Sequence, residues 1–227
     1  MQTERFNRSG FPAIGIFIEP TSDGTHTGLL FSVEGVPCKQ EVQWHEMFRS
    51  SHLEQAAPPY VEPAMENEEI NDVTGLCRLI HRRHNGVQKY RIPYAFDAKD
   101  VEIEPVSGLI SFGKGFGLTC ATFVLKVFDA ARVPLVDTEG WPARASDADR
   151  FQRLLDLMRA GIPQFRIPPA SAEHIRHVEG QLSCIRVRPE EVAGSGLIDR
   201  EPTPNHSVVI PAGEWILENL APPHAAS

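Results

Sequence analysis

Cys120 stands in Gly117-Leu118-Thr119-Cys120, immediately ahead of Phe123, Val124, Val127, Phe128 and Ala131, which repeat at helical spacing. That places a thiol at a helix start, with Thr119 as its N-cap. Unpaired N–H groups and the helix dipole there favour a thiolate, the form in which cysteine is a nucleophile. The same N–H groups, with Gly117 and Thr119 in the approach loop, could stabilise the oxyanion of a tetrahedral intermediate. A cysteine buried on the apolar stripe of this helix is the alternative. A thiol nucleophile also needs an imidazole to take its proton and a polar group to orient that imidazole.

Histidines for that role come from a hairpin. Pro12 to Glu19 has the length and composition of a strand, and Pro20 to Gly24 is a turn. Thr27 to Val33 then alternates, and Glu34-Gly35-Val36-Pro37 leads into Cys38 to His45. If the hairpin is symmetric about the bond between Gly35 and Val36, Leu29 opposes Val42 and Val33 opposes Cys38. His26 then lies opposite His45, both on the less apolar face, and opposed side chains have Cβ atoms roughly 4.5–5.5 Å apart.

Other elements follow from pattern. Residues 46 to 62 read as a loop over the site, and Asn71 to His84 as a helix stopped by Asn85-Gly86. A short strand is expected within Val106 to Phe112, and helices from Ser146 to Gly161 and from Ser171 to Gly180. Further strands are expected at Cys184 to Val187 and His206 to Ile210, and a short helix near Glu214 to Leu220. Strands at both ends with helices between predict an α+β fold.

The segments Ile14 to Ile18, His26 to Val33, Val42 to His45 and Leu118 to Val124 resemble the circularly permuted NlpC-like papain-like cysteine hydrolases, which include relatives of lecithin-retinol acyltransferase. The resemblance covers about a quarter of the chain, residues 12 to 45 and 113 to 132. It implies a papain-like antiparallel sheet beside the nucleophile-bearing helix, with Cys120 as nucleophile, His26 as base and His45 as the polar partner. It also implies attack on an amide or ester through a thioester acyl-enzyme, by an amidase or peptidase. An acyltransferase, or a binding module that keeps the fold without turnover, stays open. In the unpermuted order Cys120 would pair with His206 as the base.

Three other groupings carry a weaker case. Cys77, His81 and His84 share a helix face, but Arg82 and Arg83 oppose a cation, so a core cysteine with solvated histidines is the simpler account and no metal is expected. His174 and His177 are read the same way. Gly113-Lys-Gly-Phe-Gly117 lacks the spacing of a phosphate-binding loop, and Glu66, Glu68 and Glu69 form a solvated helix start.

The length of 227 residues fits one decorated domain, 1 to 227, with its core at about 12 to 45 and 106 to 132. Residues 46 to 105 would be an insert with one helix, and 146 to 227 C-terminal additions. A net charge of -8 argues against nucleic acid, since phosphate binding relies on clustered Lys and Arg, and the basic run from Arg78 to Lys89 is short. Scattered cysteines suggest reduced thiols. No apolar run of membrane-spanning length and no leader is evident. A cytoplasmic protein acting on a small-molecule, peptide or lipid substrate, without a cofactor, is expected. The oligomeric state is not legible.

Overall fold

The computed structural model describes residues 1–6, 10–86, 90–161 and 169–220. The fold is α+β. Five antiparallel strands, β1 (Ile14–Thr21), β2 (Gly24–Val33), β3 (Val36–Trp44), β4 (Met47–His52) and β5 (Tyr60–Val61), form a sheet in the order β4-β3-β2-β1-β5. After α1 (Asn67–Gly86), strands β6 (Val101–Ile103) and β7 (Ile110–Phe112) make a separate hairpin. Five more helices follow: α2 (Cys120–Ala130), α3 (Ala145–Ala160), α4 (Ala172–Glu179), α5 (Pro189–Ser195) and α6 (His206–Asn219). Among the described residues, no helix is long and apolar enough to cross a membrane.

Strand alternation makes the two faces of the sheet different. Ile14, Ile16, Ile18, Leu29, Phe31, Val42 and Phe48 belong to the main core with Val73, Leu76 and Ile80 of α1 and Phe123, Val127 and Phe128 of α2. Each such side chain contributes roughly 1.5–3 kcal/mol on burial. Among the described residues, the opposite face holds a small apolar cluster of Phe17, Leu30 and Tyr60, with Phe11 and Ala57 against it. It also carries Glu19, Lys39 and Glu41, with Lys39 Nζ 2.8 Å from Glu19 and 4.2 Å over the Phe17 ring.

The hairpin between β2 and β3 turns on Glu34 and Gly35, both with positive φ (53° and 82°). Such a two-residue turn matches the twist of the flanking strands. It pairs Val33 with Val36, Phe31 with Cys38 and Leu29 with Gln40. The hairpin is therefore centred one residue earlier than the sequence suggests, which slides β3 by two positions. A two-residue slip keeps each side chain on its face but changes its opposite number.

Residues 46 to 62 are not a loop, since β4 and β5 lie there and both extend the sheet. In β4 the inward positions are Phe48, Ser50 and His52, and two polar residues on that side hide the apolar alternation. Cys184 to Val187 is irregular, and α5 and β6 were not foreseen.

His206 opens α6 instead of a strand: Asn205 caps it by accepting from the Ser207 N–H at 3.0 Å. The β-branched run Val208-Val209-Ile210 has strand propensity, but Val209, Ala212, Gly213 and Ile216 are buried at helical spacing against α5. Gly194 and Gly213 allow that crossing, because a Cβ on Gly194 would sit 2.6 Å from the Gly213 nitrogen. Packing overrides propensity here.

A second cluster joins α3 and α4 to the segment before β6. Phe96 stacks on Phe151 with ring centroids 4.0 Å apart, and Tyr94, Leu155, Met158, Ile175 and Val178 complete it. The helix ends predicted near Gly161 and at Ser171 and Gly180 are observed. Lys89, the end of the basic run, and residues 221 to 227 of the C-terminal additions lie outside the described residues.

Segment 93–96 is held against the approach to α2. The Leu118 N–H donates to the Pro93 carbonyl at 2.9 Å, and a Cβ on Gly117 would lie 1.9 Å from that oxygen. Overpacking of this kind costs about 1–3 kcal/mol, so Gly117→Ala should lower stability by about 2 kcal/mol in urea unfolding. A variant as stable as the parent would show that these two backbones do not touch.

Candidate active site

Thr119 and Thr122 form a reciprocal cap at the start of α2. The Thr122 N–H donates to Thr119 Oγ1 at 3.1 Å, and the Thr119 N–H donates to Thr122 Oγ1 at 2.8 Å. Two of the free amides of the first turn are thereby satisfied, and Cys120 becomes the first residue of the helix. Its side chain is half-buried. The Thr119 amide is thus committed to the cap and is no oxyanion donor, and Gly117 serves the close approach to Pro93.

Pairing between β2 and β3 stops at Leu29 and Gln40, so residues 24–28 of β2 pair with β1 alone. Beyond that point β3 runs on beside β4 to an irregularity between Val42 and Trp44. The start of α2 meets β2 in this opened region. The Cys120 thiol lies close enough to the His26 ring, and to the backbone N–H groups of Thr27 and Ala121, for each to act on its charge. A sheet end at which one strand is released reconciles a histidine on the polar face with a cysteine helix on the apolar one.

His26 Nε2 lies 2.8 Å from Glu41 Oε2, with the His26 side chain 17% and the Glu41 side chain 5% exposed. Glu41 also accepts from Gln43 Nε2 at 2.7 Å and lies 3.3 Å from Lys39 Nζ. On the same face, Gly28 makes room for the Phe17 ring, which a Cβ there would meet at 2.5 Å. Phe17 in turn lies 5.8 Å from the His26 ring. His26 thus stands between Cys120, which acts on its charge, and the Glu41 carboxylate, which holds its Nε2.

The charges are arranged to separate. Burial alone would lower the His26 pKa, but the hydrogen bond to Cys120, and after it the one to Glu41, raise it to about 10. Burial alone would raise the Cys120 pKa, yet the His26 hydrogen bond and charge, with the Thr27 and Ala121 amides, bring it below the ordinary thiol value. Glu41, despite burial, is lowered by His26 and Lys39. All three shifts favour the charged forms: thiolate, imidazolium and carboxylate.

His45 occupies a different role from the one expected. The two-position slip of β3 removes it from His26, and its Nδ1 accepts from the Tyr94 N–H at 3.2 Å. Its ring lies 4.7 Å from that of His174, whose Nε2 is 2.9 Å from the Tyr94 carbonyl. For that carbonyl, Nε2 must carry the proton. Burial, then the neighbouring His174, lower the His45 pKa, which suits an acceptor. The two imidazoles therefore grip both sides of the Tyr94 peptide.

Tyr94 also packs on Trp44 with centroids 5.1 Å apart. Its pKa is raised by burial and next by the charge of Cys120, which places this phenol near the sulfur. His206 lies against Trp141, centroids 6.2 Å apart, and is not among the groups acting on Cys120. Glu41 is the site residue missed. A carboxylate among interspersed charges carries no motif, and only the correct hairpin centre would have found it.

A cavity of ≈ 470 Å³ flanks the β1–β2 turn, lined among others by Thr25, Arg150, Arg153, Arg186 and Arg188. Arg186 and Arg188 are paired with Asp147, at 3.1 and 2.9 Å. Thr25 directly precedes His26 in the chain. No protein-family model, curated protein or solved structure matches this chain.

Because the Cys120 pKa is lowered, its thiolate should persist as the pH falls, whereas an ordinary thiol protonates below roughly pH 8.5. Iodoacetamide should accordingly label Cys120 at pH 6, ahead of Cys38 and Cys77, whose pKa values burial raises. His26→Ala should move the labelling profile up toward that of a free thiol. Glu41→Gln should move it less, since the sulfur's own hydrogen bond survives. Equal labelling of Cys120 in the parent and in His26→Ala across pH 5 to 9 would refute the ion pair.

Proposed function

We propose that the protein is a papain-like cysteine hydrolase, with Cys120 as nucleophile, His26 as acid and base, and Glu41 as the group that orients His26. The observation that supports this reading is a helix-start thiol beside His26, whose Nε2 lies 2.8 Å from a buried carboxylate. It follows the order implied by the permuted NlpC-like resemblance, in which a strand-borne histidine precedes the cysteine.

The Cys120 thiolate attacks the carbonyl carbon of an amide or ester, forming a carbon–sulfur bond as the carbonyl electrons move to oxygen. The backbone N–H of Cys120 itself, which the cap does not use, is the helix-start donor for that oxyanion. The intermediate collapses, the bond to the leaving nitrogen or oxygen breaks, and His26 supplies the proton that the leaving group takes. His26, now neutral, takes a proton from water, whose oxygen attacks the thioester. Collapse releases the carboxylic acid and restores the thiolate and imidazolium. Replacing water by another acceptor gives the acyl-transfer variant.

Glu41 contributes by holding the imidazole in one orientation and by favouring its charged form. The arginine-lined cavity beside the His26 strand favours an acyl substrate with a negatively charged group. Among the described residues, neither Arg150 nor Arg153 has a carboxylate within ion-pair distance.

The test uses p-nitrophenyl acetate. The parent should release a burst of p-nitrophenolate and carry an acetyl group on Cys120, found by mass spectrometry of its peptides. Cys120→Ser should show neither, and Glu41→Gln should turn over about 10–100-fold more slowly. Turnover unchanged in Cys120→Ser would overturn the assignment. For the cavity, the ratio of Cys120 labelling by iodoacetate to that by iodoacetamide should fall about tenfold in Arg150→Gln/Arg153→Gln at low salt, where charge steering is strongest. An unchanged ratio would detach the cavity from the site.

A further inference from the structure

On the opposite face of β3 from Glu41, Cys38 lies directly across from His52 of β4 in the sheet register. His81 of α1 packs over them, its ring stacked on His52 with centroids 5.8 Å apart and planes at 13°. One donor atom from each of Cys38, His52 and His81 lies within 4.8 Å of the other two. We propose that these three side chains bind a divalent transition metal of the zinc class.

The donor set fits that ion. One thiolate and two imidazoles are the ligand types zinc takes, with metal–sulfur and metal–nitrogen bonds of roughly 2.3 and 2.0–2.1 Å. A tetrahedral centre with such bonds brings these donors to about 3.3–3.6 Å apart. The contraction required is about 1 Å, and the exposed His52 ring can supply it by rotating about its side-chain bonds. Cys38 would release its proton to solvent as the ion binds. Two ligands are buried and the third is exposed, which gives the ion an entrance.

The surroundings also suit a metal. Ser50 Oγ lies 2.9 Å from His81 Nδ1. An Nδ1–H donating to Ser50 fixes the tautomer whose lone pair is on Nε2, the usual support for a metal-bound histidine. Ser50 is itself held by Gln40 Nε2 at 2.9 Å, and Asn85 Nδ2 donates to the Ser50 carbonyl at 2.9 Å. Gln40 Oε1 is buried and has no hydrogen-bond partner among the described residues. It shares the strand face of Cys38 two positions on, where it would accept from a water in the fourth coordination position. Arg78, one turn before His81, is turned away onto the Ser32 carbonyl at 2.7 Å.

This grouping differs from the helix-face trio of Cys77, His81 and His84. The Cys77 side chain is wholly buried in the main core, and His84 Nδ1 accepts from the Tyr90 N–H at 2.8 Å. Only His81 is common to both. An ion at the new position would clamp α1 to the β3–β4 edge of the sheet.

The test uses the full chain carrying Cys120→Ser, so that the other reactive thiol is absent. Titration with Co²⁺ should give a near-ultraviolet thiolate-to-cobalt band and visible bands of tetrahedral intensity, all erased by Zn²⁺. At a hundredfold excess over its dissociation constant, Zn²⁺ should raise the melting temperature by about 5–10 °C. Cys38→Ser should lose the charge-transfer band. His52→Ala, at an exposed position that leaves the fold intact, should weaken binding at least tenfold and lose the melting shift, while His177→Ala should keep both. A cobalt spectrum of six-coordinate type in the parent, or an undiminished band in His52→Ala, would overturn the site. Neither outcome bears on Cys120, which is silent in this background.

Discussion

The interaction between Cys120 and His26 is the one around which the candidate site is organised, because it favours a charge on a half-buried thiol. Burial works against both partners, raising the thiol and lowering the imidazole. Each favours the charged form of the other. Neither would keep its charge alone, and the arrangement therefore needs a carboxylate that remains ionised in the same buried region. Glu41 does so because Lys39 stands beside it and Gln43 fills its second oxygen. The chain of dependence runs from sulfur to ring to carboxylate to ammonium, and ends at the surface with Glu19.

That chain requires a gap in the sheet. A fully paired β2 would spend the Thr27 amide on a neighbouring strand, whereas the absence of β3 pairing ahead of Leu29 leaves this N–H to act on the Cys120 sulfur. The reciprocal cap of Thr119 and Thr122 fixes where α2 begins, and the contact of Gly117 with Pro93 fixes its approach. The segment that contains Pro93 continues into Tyr94, whose peptide is gripped by His45 and His174. Both histidines therefore serve the site at one remove. They hold the backbone that holds the helix start.

How much of this was legible in the sequence follows from the range of each signal. The start of α2 was legible because a threonine cap and a regular apolar stripe are local, and the same holds for β1, β2 and the inward face of the hairpin. His26 was legible as a strand-borne imidazole preceding the cysteine. Its partner was not, since the choice between His45 and Glu41 depends on which peptide bond centres the turn. Positive φ at Glu34, a residue with no special preference for it, decides that in favour of Glu41. The strand β4 and the helix α6 were obscured for a related reason. Ser50 and His52 face inward to make a polar cluster, and Val208 to Ile210 is helical only because Gly194 and Gly213 let α5 and α6 approach closely.

Period two along a strand has a further consequence in β3. Lys39 and Glu41 lie on the face of His26, while Cys38 and Gln40 face His52 and His81. One short segment, Cys38 to Glu41, thus carries both polar clusters on its two faces, and the turn at Glu34 and Gly35 sets the register of both. A change that slid β3 by a residue would expose the carboxylate to the core and the thiol to solvent together. Anything that fixes β3 against α1 from the core side therefore also limits the movement of Glu41, and through it the orientation of His26. The two clusters share no side chain, yet they share the constraint that keeps each of them in place.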